Sequence, residues 1–168
     1  LILEYLDKYA QKAYREVTSI ITCPTFLFSN DPTLIRNEAN YNYVYIHGFN
    51  RLIKNNRISS DQLIEVFSFL EKEIEIYLMK HYTGKNFMYY LKADALVPAF
   101  TITIVSHYED KEVQESVSLF ELIDWYKENA CFDGLEIIAR QISDESKEAE
   151  SKGAFPDSVK TYTKTINT

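Results

Sequence analysis

The chain has 168 residues, 46% hydrophobic and 26% charged, with a formal net charge of −7 and a sequence pI near 5.0. That is the composition of a soluble one-domain protein, too apolar for a disordered chain and lacking the basic footprint that nucleic acid or an anionic membrane requires. Its apolar runs fall far short of the ~20 residues of a membrane-spanning helix.

Residues 1–21 are predicted to form a helix, because Leu6, Tyr9, Ala10, Ala13, Val17 and Ile20 or Ile21 follow helical spacing while Glu4, Lys8, Lys12 and Glu16 fall outside that stripe. Early charges at Glu4, Asp7 and Lys8 do not fit a secretion signal, although the start at Leu1 leaves room for residues upstream, a cleaved targeting peptide included. Pro24 stops this helix. Asp31-Pro32 then signals another helix start. From there to residue 55 two patterns compete: Tyr41, Tyr43 and Tyr45 alternate like a strand, yet Leu34, Tyr41, Tyr45 and Leu52 line up as a helix face. Length and the capping signal favour helix, with a break near Gly48.

Ser59 and Gln62 resemble a capping box, and Leu63, Val66, Phe67, Leu70, Ile74, Tyr77 and Leu78 form the apolar face of a helix running to about residue 82. Gly84 closes it. Beyond this point the periodicity changes to that of strands, at 87–92, 99–108 and 112–118, with a turn at Glu109-Asp110-Lys111. Ser118 with Glu121 and Asp133 with Glu136 start two further helices. The expected fold is therefore α+β: a predominantly helical single domain of about five helices, with a small two- or three-stranded antiparallel meander between residues 86 and 118. Its expected limits are residues 1–153, followed by an extended, loosely held tail over residues 154–168.

No cofactor or metal motif is present. His47, His81 and His107 are too scattered for a zinc site, no glycine-rich loop could cradle a phosphate, and no serine or cysteine stands in a nucleophile motif. The pattern leans away from an enzyme. Cys23 and Cys131 are read as reduced core or subsurface thiols of a cytoplasmic protein.

Thirteen tyrosines against four glycines are the chain's strongest bias. Some, such as Tyr9, Tyr77 and Tyr126, are core by spacing; others sit beside polar residues, as interface tyrosines do. Two candidate faces follow. One joins Tyr89, Tyr90 and Asp94 to the turn at His107, Tyr108, Glu109 and Asp110; the other is Tyr41, Tyr43 and Tyr45. The expected role is a non-catalytic protein-binding domain, of the stoichiometric inhibitor or immunity type, blocking a partner whose basic charge would complement this acidic chain. Nucleic acid and membrane are not expected partners, and nothing in the pattern excludes a homo-oligomer. The alternatives are a sensor domain holding a small ligand in a helix–sheet core, and a small hydrolase or nuclease without a recognisable motif.

Overall fold

A computed structural model describes residues 1–109, 115–132 and 158–168 of the chain. Two helices, α1 (Ile2–Tyr9) and α2 (Gln11–Thr22), divide the single helix expected over residues 1–21. The break is at Ala10, whose backbone leaves the helical region at φ −148° and ψ 58° while its N–H still donates to Leu6 O. The apolar stripe survives, with Leu6, Ala10, Ala13, Val17 and Ile20 all buried. Tyr9 does not follow it. Lying next to the break it is exposed, its ring 5.0 Å from that of Tyr5.

Asp31 starts a short 3-10 turn, Pro32–Leu34, by accepting from Thr33 N at 2.9 Å, and the turn leads into α3 (Ile35–Tyr41). The helix expected to run on to residue 55 ends here instead. Strand β1 (Tyr43–Ile46) replaces it, and α4 (Asn50–Lys54) follows a turn at Gly48. Asn42 is the pivot between helix and strand. It is buried, its N–H donates to Glu38 O, and its side chain brackets Leu27, accepting from Leu27 N at 2.8 Å and donating to Leu27 O at 2.7 Å. Beyond it, Tyr-Val-Tyr-Ile is a β-favouring run with somewhere to pair.

Gly48 is needed for close packing. A Cβ at this position would lie 2.3 Å from Ala13 N and 2.5 Å from Ala13 Cα, backbone atoms of α2 with little freedom to yield. Its N–H also donates to Glu16 Oε2 at 2.8 Å. Gly48→Ala is expected to destabilise by about 2 kcal/mol, within the range of overpacking substitutions. Urea denaturation reads this as a lowered midpoint; an unchanged midpoint would mean that the β1–α4 turn shifts away from α2 without cost.

The capping box at Ser59 forms as expected, with Gln62 N donating to Ser59 Oγ at 3.1 Å and Ser59 N to Gln62 Oε1 at 2.9 Å. It opens the long α5 (Ser60–His81), after which Gly84 turns the chain at φ 80°. The hairpin of β2 (Asn86–Asp94) and β3 (Ala99–Ser106) follows. Next comes α6 (Leu119–Asn129), capped by Ser118 Oγ on Glu121 N at 3.1 Å. The last element is β4 (Val159–Asn167). The sheet order is β1-β3-β2-β4, antiparallel throughout. This is an α+β single domain.

One face of the sheet carries the core. Phe87, Tyr89, Leu91 and Ala93 of β2 and Phe100, Ile102 and Ile104 of β3 are buried with the apolar stripes of α2, α5 and α6. Phe100 is the centre of an aromatic chain, 4.6 Å from Phe67 on α5 and 4.2 Å from Tyr126 on α6 between ring centroids. Tyr126 is core, as its spacing indicates, and Tyr77 is half-buried at its edge.

The C-terminal reading needs correction. Residues 159–167 are extended but not loosely held: all nine pair with β2, and Thr161 and Ile166 are buried. Tyr162 donates to Glu71 Oε2 at 2.8 Å, and Lys164 reaches Glu71 and Glu75 at 2.9 and 3.5 Å, fastening β4 to α5. Of the third meander strand, residues 112–114 lie outside the described residues and 115–118 form no strand. Residues 116 and 117 do flank β4, where Val117 N donates to Thr161 O at 2.9 Å and Thr163 N to Ser116 Oγ at 3.1 Å. The helix expected from Asp133 also lies outside the described residues.

Candidate functional site on the open face of the sheet

Because side chains alternate along a strand, the face of the sheet turned away from the core can be read from the register. Tyr45, Thr101, Lys92 and Thr161 form one row across it; Tyr43, Thr103, Tyr90 and Thr163 form the next. Asp94 stands two residues beyond Lys92, opposite Ala99. Small threonines on β3 thus run between tall side chains on β1 and β2. The result is a trough of about 520 Å³. Ala39 and Asn40 of α3 border it, as do Val97 and Val159. Its size falls within the ~300–1,000 Å³ of small-ligand sites.

Tyr43 and Tyr45 form the β1 wall and stay 47% and 55% exposed. Their rings meet edge-on at 5.3 Å, and Tyr45 stacks with His47, interplanar angle 9°, at 6.2 Å. His47 Nε2 is in turn 3.9 Å from Glu16 Oε1. Tyr41, at the end of α3, is 60% exposed. These three tyrosines, consecutive odd residues, are all exposed.

The other predicted face does not assemble. Tyr89 is fully buried on the core side, where burial first, and then Glu71 and Tyr162, push its phenol well above the usual tyrosine range. Its hydroxyl has no hydrogen-bond partner among the described residues. Tyr90 is half-buried on the open face, its phenol also raised by burial. Asp94 lies on that face too, but its Oδ1 is engaged by Leu96 N and Val97 N at 2.9 and 3.1 Å, fixing the β2–β3 turn. His107, Tyr108 and Glu109 follow the far end of β3, since the antiparallel register sets Asp94 against Ala99 and Phe87 against Ser106. His107 N donates to Asn86 O at 2.8 Å, Tyr108 is half-buried with no partner for its hydroxyl among the described residues, and Glu109 is exposed. Asp110 lies outside the described residues. A strand's length separates Asp94 from the His107 end, and Tyr89 and Tyr90, between them, point to opposite faces of the sheet.

Sequence reasoning passed over Lys92, Thr101 and Thr103. Lys92 and Asp94 form a K-x-D pattern too common to mean anything alone, and no motif singles out the two threonines of an otherwise apolar strand. Alternation was the available signal, for it places all four residues on one face.

The trough lies on the face of the sheet opposite the helix–sheet core. No disulfide joins Cys23 to Cys131, and Cys23 is exposed rather than core. Among the described residues no three of His, Cys, Asp and Glu converge as metal ligands, and no helix is long and apolar enough to cross a membrane. No known protein family, curated protein or solved structure matches the chain.

Proposed function

We propose that this domain is a non-catalytic protein-binding module that meets its partner with the open face of its sheet, as a stoichiometric inhibitor of the immunity type would. One observation carries the reading: Tyr43 and Tyr45 crowd the β1 end of that face and, with Tyr41 at the end of α3, stay exposed, in a domain that buries Tyr89 and Tyr126 completely. Exposed tyrosines offer large apolar area with a polar tip and few rotatable bonds, the properties enriched at interface centres.

A basic partner is favoured by the chain's charge rather than by this face. Lys92 and Asp94 balance one another there, whereas Asp133, Glu136, Asp144, Glu145, Glu148, Glu150 and Asp157 stand against Arg140, Lys147 and Lys152 in a single stretch of sequence. Charge of this kind speeds encounter, while buried tyrosines slow dissociation. The trough volume favours a second reading, a small ligand bound on the open face.

The test is affinity capture from the source cells with the wild-type chain and with a Tyr43→Ala, Tyr45→Ala double variant, followed by titration of any protein retained. Each truncation is expected to weaken binding about 30-fold, from ~2 kcal/mol per hot-spot tyrosine. Stability should change by less than about 0.5 kcal/mol per site, as for surface positions. A partner held equally well by the double variant would remove β1 from the interface and with it the support for this reading.

A further inference from the structure

The trough over β3 has chemistry of its own. Among the described residues no hydrogen bond or ion pair engages Lys92, Thr101, Thr103 or the phenols of Tyr43 and Tyr45, and Asp94 Oδ2 is likewise uncommitted. Half-buried Lys92, Asp94, Thr101 and Thr103 thus line one hollow with the exposed Tyr43 and Tyr45, a few polar groups around an aromatic wall, as a ligand site needs. We infer that this trough binds a neutral polyhydroxylated ring, that is, a sugar unit of a glycan, and this goes beyond the protein-binding reading without resting on it.

Three other ligand types fit less well. A small anion would find one ammonium, on Lys92, with the Asp94 carboxylate two residues along the same face opposing it. The backbone of a peptide would meet side chains only, because the N–H and C=O groups of β2 and β3 are directed to their neighbours in the sheet, which leaves the face without main-chain partners. A wholly apolar ligand would leave the hydroxyls, the ammonium and the carboxylate dehydrated without replacement bonds. A sugar ring meets each of these demands. Its C–H face can lie on a tyrosine ring, and its dispersed hydroxyls can both donate and accept, to Asp94 Oδ2 on one side and from Lys92 and the threonines on the other. Small Thr101 and Thr103 leave the depth that the ring occupies.

Free sugars and glycans carried on a protein present the same chemistry, so the test has two arms. In the first, amide NMR shifts of the labelled chain are followed against a panel of neutral mono- and oligosaccharides, taken to roughly 10 mM because a shallow site for one or two rings binds in the millimolar range. Saturable shifts confined to residues 43–45, 92–94 and 101–103 are expected. Tyr45→Ala should weaken them about tenfold, and Thr101→Tyr, which fills the trough from its floor, should abolish them with the thermal midpoint unchanged. In the second arm, a glycoprotein carrying a glycan that scores in the first is compared before and after enzymatic deglycosylation; loss of binding supports the site. The proposal is overturned if no sugar gives a saturable shift, if acetate or phosphate alone reproduces the shifts, or if binding persists in Thr101→Tyr.

Discussion

Ending the chain before Ser158, and so deleting β4, is expected to abolish cooperative folding. β4 pairs with β2 along all nine of its residues, from Asn86 against Asn167 to Asp94 against Val159. That ladder contributes on the order of eight hydrogen bonds at ~1 kcal/mol net each. Ile166 is fully buried, a further ~2 kcal/mol of apolar burial. Glu71 also loses both Tyr162 and Lys164. A total on the order of 10 kcal/mol is comparable with the whole stability of a domain of this size. Circular dichroism of the truncated chain should therefore show no cooperative melt, while Ile166→Ala, a single deletion in the same strand, should cost about 3 kcal/mol and leave the transition two-state. A truncated chain melting within a few degrees of the full one would return residues 158–168 to the status of a tail.

The contrast between β4 and α5 shows what kind of information a local pattern holds. α5 carries its own start signal at Ser59 and its own apolar stripe, so its boundaries are legible within about a residue. β4 reads Val-Lys-Thr-Tyr-Thr-Lys-Thr-Ile-Asn, polar on both faces, and its core-side positions are Lys160, Tyr162, Lys164 and Ile166. Two of those four are lysines. They serve because their stems cover apolar surface while their ammonium groups reach carboxylates, Lys160 near Glu121 and Trp125, Lys164 near Glu71 and Glu75. No alternation of apolar and polar residues remains to be seen. β1 failed for a different reason: its residues fit helix and strand equally, and the decision came from Asn42 holding Leu27 and from pairing with Ile102 and Thr103, distant in sequence. The site divides along the same line. Exposure of Tyr43 and Tyr45 follows from alternation with Val44 and Ile46, which turn the other way, and burial of Tyr89 follows from Phe87, Leu91 and Ala93 on its face. The trough itself depends on strand order, which no local window contains.

Glu38→Ala is expected to cost about 4 kcal/mol, although Glu38 belongs to no apolar cluster and no sequence pattern singles it out. Its side chain is only 5% exposed, and no basic group among the described residues pairs with it. Its charge is held by donors instead: Oε1 accepts from Ser29 N at 2.7 Å and Ser106 Oγ at 3.0 Å, and Oε2 from Ser106 N at 2.7 Å. The carboxylate thus joins three segments, the loop after α2, α3 and the end of β3. Hydrogen bonds to a charged acceptor are worth ~1.5–3 kcal/mol each, and buried donors left unpaired cost ~1–3 kcal/mol each, so loss of the carboxylate exceeds an ordinary surface change even if water enters the space. Glu38→Gln keeps one acceptor oxygen but turns an NH₂ toward a donor, and about 2 kcal/mol is expected for it. Urea midpoints should fall in the order wild type, Gln, Ala with unchanged slope. A cost below about 1 kcal/mol for Ala would show that the loop, α3 and β3 are held by other contacts. The consequence reaches the site as well. α3 ends at Tyr41 and Asn42 turns the chain directly into β1, so the clasp that holds α3 against Ser106 also sets where Tyr43 and Tyr45 stand over the trough. Glu38→Gln, where it folds, should accordingly weaken ligand or partner binding without touching either.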